Sequence, residues 1–224
     1  MLATPIPAAP HMHRAVVLGR SVQGRPIWVF EVGDPRSPRR VLVVGCIHGN
    51  EPAGVAIADA LARGRAVAGA DLWIVPDLNP DGVAGDTRQN ADRVDLNRNF
   101  PWHWRRLGPP GSTFYSGRRA LSEPESRMVE RLVLRVRPQV SIWFHQHLDA
   151  VDESSGDTRI ERRFASLVHM PLRRLTRYPG SATGWENHTL PGSTSFVVEL
   201  PAGRLSGKRI GLFTRAIRSL AASH

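Results

Sequence analysis

His48 and Glu51 are the side chains that first point to chemistry in this chain. His48-Gly49-Asn50-Glu51-Pro52 sets an imidazole nitrogen and a carboxylate oxygen three residues apart on a tight turn. That pairing suits a zinc ion, which binds His nitrogen and Glu oxygen at short range. Catalytic zinc normally takes three protein ligands and keeps one position open, so a third ligand is expected downstream. His145-Gln146-His147 offers two candidates at the end of Val140-Ser141-Ile142-Trp143-Phe144, a β-branched and aromatic run. Both histidines point to one side of a continuing strand, so either could reach a metal. The plainer reading of His48 and Glu51 is that they cap a helix starting near Pro52.

Other polar residues cluster where packing alone does not call for them. Asn79-Pro80-Asp81-Gly82 is a turn signal after the apolar run Leu72-Trp73-Ile74-Val75-Pro76. Asp95-Leu96-Asn97-Arg98-Asn99-Phe100-Pro101 follows it. Asn97 and Arg98 can hydrogen-bond a carboxylate, Arg98 as a two-pronged fork. Asp95 can accept the second ring N–H of a metal-bound histidine and so fix its tautomer. Read in isolation, the segment is a polar surface loop. Glu199 is the one charge in Ser193-Thr194-Ser195-Phe196-Val197-Val198-Glu199-Leu200-Pro201. A carboxylate there is costly to bury unless it is paired or used. Pairing with one of many arginines is the plain alternative.

The elements that must hold these groups alternate. Val41 to Ile47 is a continuous apolar run that reads as a buried strand, and it ends where His48 begins. The stretches Leu72 to Pro76, Val140 to Phe144 and Ser193 to Pro201 read as further strands. Helical stretches are expected over Val55–Ala62, Glu123–Arg135, Arg159–Val168 and Gly207–Ala222, the second with an N-cap and early acids at Ser122-Glu123-Pro124-Glu125. The alternation argues for an α/β sheet with helices on both faces, in which ligands gather beyond the strand ends. Residues 1–13, rich in Ala and Pro, read as a loose arm before one catalytic domain over 14–224.

The order of these motifs resembles the zinc carboxypeptidase family, carboxypeptidase A type. That family runs His-x-x-Glu, Asn-Pro-Asp-Gly, an arginine, Asp-x-Asn-Arg-Asn, a strand-end His and a strand Glu. Here they stand as His48 and Glu51, Asn79 to Gly82, Arg88, Asp95 to Asn99, His145 and Glu199. The likeness covers about Gly19 to Leu200, and Gly19 to Ile27 resembles the family's usual first strands. It implies a single α/β domain with a mixed, mostly parallel sheet. It implies one zinc held by His48, Glu51 and His145, and it favours His145 over His147 because the family's ligand directly follows the apolar strand. It implies Glu199 as general base and then acid, Arg88 as oxyanion stabiliser with Arg93 as competitor, and Asn97 and Arg98 as holders of the substrate carboxylate. Tyr178 stands just before Pro179 to Trp185, which resemble the segment downstream of the family's mobile tyrosine on a shortened spacing. It is therefore the candidate for that substrate-binding role, a loop residue stacked on Pro179 being the alternative. Ala182, Thr183 and Gly184 fall where the specificity pocket is lined. Cobalt or manganese could occupy the same ligands.

Asp95-Leu96-Asn97-Arg98-Asn99-Phe100-Pro101 and the short length look most like the bacterial murein-peptide amidase branch. Those enzymes cut the bond between γ-D-glutamate and diaminopimelate. The resemblance thus implies a hydrolase of small peptides with a free carboxylate. A deacylase of N-acyl amino acids and a non-catalytic peptide-binding relative are the alternatives. Arg177 could read an extra carboxylate on diaminopimelate.

Composition bounds the rest. With 224 residues, 41% of them hydrophobic, the chain can bury a sizeable core. The net charge of +10 comes almost wholly from arginine, Lys208 being the one lysine. The charges are scattered without a nucleic-acid motif, so a solvated basic surface that attracts anionic peptides is the favoured reading. Cys46 is alone, which excludes an intramolecular disulfide. No stretch has the length of a membrane span, and the N-terminus lacks an apolar signal core, so a cytoplasmic location is expected. The sequence leaves the oligomeric state open.

Overall fold

The computed structural model describes residues 12–223. Of the expected arm, residues 1–11 lie outside the described residues, while Met12 and His13 open the first strand, β1 (Met12–Arg20). β1 pairs antiparallel with β2 (Pro26–Gly33), and β2 antiparallel with β4 (Asp71–Val75). β3 (Arg40–Val44) lies between β4 and β5 (Val140–Asp152), parallel to both. β6 (Leu172–Arg173) and β7 (Thr194–Pro201) also run parallel to β5. The sheet is therefore mixed and mostly parallel.

Strand alternation divides the core in two. On one face Val41, Val43, Ile142 and Phe144 pack with Ile57, Phe164 and Phe213 from α1 (Ala53–Ala62), α4 (Thr158–Val168) and α6 (Gly207–Ser223). On the other, Leu42, Val44 and Trp143 pack with Phe100, with Leu132 of α3 (Pro124–Val136) and with Trp185 of α5 (Ala182–Thr189). Each fully buried large apolar side chain contributes about 1.5–3 kcal/mol. The stripe Val129, Leu132, Val133, Val136 at helical spacing is what docks α3. The short α2 (Pro80–Gly85) completes the set.

α3 starts within the expected segment: Glu123 is its N-cap, Pro124 takes the first helical position, Glu125 is the early acid, and the Ser122 hydroxyl donates to Glu123 Oε1 at 2.6 Å. One local expectation is corrected: β5 runs well past Phe144 and changes direction. Val140 to His147 climb beside β7, with His145 opposite Glu199. After register shifts, Ala150 and Val151 pair back onto Glu199 and Val198. Glu199 already faces His145 on one side, so the returning chain lies on the other edge of β7. β5 thus folds over the end of β7 and carries Asp152 across it.

Candidate active site

The parallel strands deliver their loops to one edge, and there the charged residues meet. His48 and Glu51 follow β3, and Asn79 follows β4. Asn79 Oδ1 accepts from Gly82 N, capping α2, while its Nδ2 donates to Ile47 O at 3.1 Å. A Cβ on Gly49 would sit 1.9 Å from the carbonyl carbon of Gly82, so the two loops pack backbone against backbone. Asp81 accepts from Ser21 Oγ, Gln23 N and Arg25 Nη1, fastening the β1–β2 hairpin. The Asn-Pro-Asp-Gly turn is thus a brace for the metal loop. Helix α1 begins without a side-chain cap from His48 or Glu51; its Ala53 N–H goes to Gln146 Oε1 at 2.9 Å.

His48 Nδ1, Glu51 Oε2 and His145 Nδ1 converge. The carboxylate oxygen lies 3.0 Å from His48 Nδ1 and 2.9 Å from His145 Nδ1, and the two ring nitrogens are 3.0 Å apart. Asp95 Oδ1 accepts the His48 Nε2–H at 2.9 Å, which leaves a lone pair on Nδ1. With neutral imidazoles at most one proton is left for these three contacts, so electron pairs face each other in a buried place. A small cation resolves that, and two nitrogens with one carboxylate oxygen fit zinc. His147 is exposed and lines the same cavity without joining the cluster. Its side depended on β5 staying regular, and the register shifts right after it.

Charge surrounds this cluster in layers. Burial alone would lower the His48 pKa, but Asp95 and Glu51 outweigh it and raise it. Burial works to raise the carboxyls of Glu51 and Asp95; the imidazoles, with Arg88 acting on Asp95, instead hold both well below the usual carboxylate range. Arg88 donates from Nε to Asp95 Oδ2 and from Nη1 to Glu51 Oε1, each at 2.9 Å. Arg93 is exposed and does not line the cavity.

Asn97 and Arg98 sit on a single tight turn, Leu96–Arg98, whose N-cap is Asp95. Asn97 Oδ1 accepts from Ala182 N at 2.9 Å, and its Nδ2 lies 3.4 Å from His145 Nε2. Arg98 is only 3% exposed, and burial lowers its pKa. Its Nη1 donates to Asn97 O, yet its Nε has no partner. Tyr178 is 42% exposed; its ring lies 4.0 Å above the Arg98 guanidinium carbon and stacks with Phe114 at 5.7 Å. Glu199 lines the cavity from β7, with Leu148 N 3.5 Å from its Oε2. All these groups open into one cavity of about 800 Å³, which Thr183 and Gly184 also line.

Sequence reasoning missed two participants. Phe114 packs over Arg88 and Arg98, and nothing in its local pattern marks it. Gln146 ties α1 to the end of β7 through Ala53 N, Pro201 O and Gly203 O; it stood in plain view between the two histidines.

The zinc carboxypeptidase family matches residues 6–151, well over half of the chain. The chain belongs to the zinc carboxypeptidase family. It is a metallopeptidase hydrolase, and zinc is its cofactor. Among similar proteins, carboxypeptidase SOL1 of Arabidopsis thaliana is 36% identical over 105 residues, 39% of this chain but only 21% of that protein. Murein peptide amidase A of Escherichia coli K12 is 29% identical over 185 residues, 75% of this chain and 74% of that protein. The crystal structure of murein-tripeptide amidase MpaA from Escherichia coli O157 superposes with a TM-score of 0.76 at 25% identity, covering 97% of this chain and 94% of that one. Among the described residues no helix is long and apolar enough to cross a membrane.

Proposed function

We propose that this carboxypeptidase-family hydrolase cleaves murein peptides at the bond between γ-D-glutamate and diaminopimelate, as a recycling enzyme of the cytoplasm. The observation that carries the reading is the buried Arg98, which lines the same cavity as the metal cluster and Glu199 and whose guanidinium makes, among the described residues, a single hydrogen bond, to Asn97 O. A guanidinium left short of acceptors in a mostly buried wall favours an anion, here the terminal carboxylate of a peptide. The match to murein amidases, over three quarters of the chain in sequence and nearly all of it in fold, supports the substrate class.

His48, Glu51 and His145 would hold the zinc, with Asp95 fixing the ring of His48. When bound, zinc supplies a Lewis acid that polarises a carbonyl and makes a water molecule acidic. Glu199 takes the proton of the attacking water and returns it to the leaving amine. Two nitrogens of Arg88 are held by Glu51 and Asp95, which leaves its Nη2 to stabilise the developing oxyanion. Asn97 and Arg98 orient the terminal carboxylate, and Tyr178 covers it from the solvent side.

The test is hydrolysis of L-Ala-γ-D-Glu-diaminopimelate by zinc-loaded protein, run beside N-acyl amino acids and simple C-terminal peptides, with a chelated control. Chelator-sensitive release of diaminopimelate is expected. Cleavage of N-acyl amino acids in its place would replace the murein reading with the deacylase.

A further inference from the structure

The cavity has a second polar end that the hydrolytic chemistry does not use. β5 reaches it by folding over the end of β7, so Asp152 lies across that strand from His145. Asp152, Ser154, Arg174, Arg177 and Asn187 line this end. Most of their polar groups are already committed. Asp152 is 2% exposed; its Oδ1 accepts from Leu175 N at 3.0 Å and its Oδ2 from Arg177 Nη1. Arg177 also donates to Glu153 O. The Ser154 hydroxyl donates to Glu161 Oε1 and accepts from Asn187 Nδ2 at 3.2 Å.

Arg174 is the exception. It follows β6, whose Arg173 is paired with Asp152, and among the described residues its side chain has neither hydrogen bond nor ion pair. Among the charged groups that line this end, Asp152 is matched by Arg177 and Arg174 is left unmatched; Glu161, behind Ser154, does not reach the cavity. A substrate side chain ending in a carboxylate meets a free guanidinium there. One ending in an ammonium alone meets a like charge. The single arginine Arg98 serves the terminal carboxylate at the other end, so the two cations divide the work.

We propose that Arg174 is a specificity-determining residue that binds a second carboxylate, carried on the side chain of the substrate's C-terminal residue. Arg177, held by Asp152, forms the fixed wall beside it. The inference rests on the murein-peptide reading and sharpens it: diaminopimelate carries such a carboxylate, and lysine at the same position does not.

The experiment compares kcat/KM for L-Ala-γ-D-Glu-meso-diaminopimelate and L-Ala-γ-D-Glu-L-lysine, using zinc-loaded parent protein and Arg174→Gln. The parent is expected to favour diaminopimelate. The variant should lower that preference about ten- to a hundredfold, through KM, the worth of a hydrogen bond to a charged group. Arg174→Lys should restore part of it. Arg174 is exposed, so the variant is expected to keep the parent's melting temperature. An unchanged preference with both peptides cleaved overturns the role of Arg174 and leaves the murein reading standing. Cleavage of neither peptide, by protein that hydrolyses an ordinary C-terminal peptide, overturns both.

Discussion

Glu199 tests the proposed chemistry at the scale of one side chain, because it stands apart from the metal cluster. Replacing it with Gln keeps size and polarity but removes the base. General acid–base catalysis is worth roughly 10²–10⁴-fold, so Glu199→Gln should lose about that in kcat. Metal analysis should still find one zinc per chain, since the variant leaves His48, Glu51 and His145, the three donors proposed to hold it, untouched. Turnover equal to the parent's would sink the mechanism. Residues of this kind were legible in the sequence because their types are expensive where they stand: a carboxylate inside an apolar strand, and a histidine and glutamate at a strand's end. The choice between His145 and His147 was not legible from periodicity alone. It hangs on an irregularity of β5, and alternation predicts only regular strands.

Among the elements, α5 carries a second buried carboxylate that the chemistry leaves aside. Glu186 accepts from the Ser141 hydroxyl of β5, from Trp143 Nε1 at 3.3 Å and from the Ser195 hydroxyl of β7 at 2.9 Å. It clamps the helix bearing Thr183 and Gly184 to the strands bearing His145 and Glu199. Burial pushes its pKa from the ordinary 4.5 up to about 7. The fold therefore holds a proton that the unfolded chain has released between those values. Its contribution is fully present below pH ~4.5 and is lost as pH rises through about 7, up to on the order of 3 kcal/mol. Glu186→Gln is neutral throughout. Its stability relative to the parent should therefore improve from pH 5 to pH 8, read as the shift in urea midpoint. A parent-to-variant difference that stays constant across that range would contradict the assignment. Sequence reading did not find α5: Ala182–Thr189 is short, contains Gly184 and two threonines, and has no clear apolar stripe. Its start is set instead by the Ser181 hydroxyl accepting from Gly184 N. The longer helices α3, α4 and α6 were legible because their stripes face a sheet.

For the whole molecule, the candidate metal site gathers segments that the chain keeps far apart. His48 and Glu51 leave β3, His145 leaves β5, and Asp95 and Arg88 reach in from the loop between α2 and α3. The alternation of strands and helices made the sheet legible, since each apolar run had to be covered. The folding of β5 across β7 was not, because Gln146 to Asp152 pass through two edges of one strand and no single period describes them. The cavity spans that fold, so its two ends could be joined only in three dimensions. One consequence concerns stability. Unfolding separates the three ligands, so zinc binds the folded state and raises its stability by RT ln(1 + [Zn]/Kd), about 2.7 kcal/mol at a hundredfold excess over Kd. The melting temperature should climb with the logarithm of free zinc and return to its starting value with chelator. His145→Ala should flatten that climb, because it removes a ligand on the far side of the junction. Glu199→Gln should leave the slope intact. A melting temperature that ignores zinc in the parent protein would mean that the three donors do not act together, however close they stand.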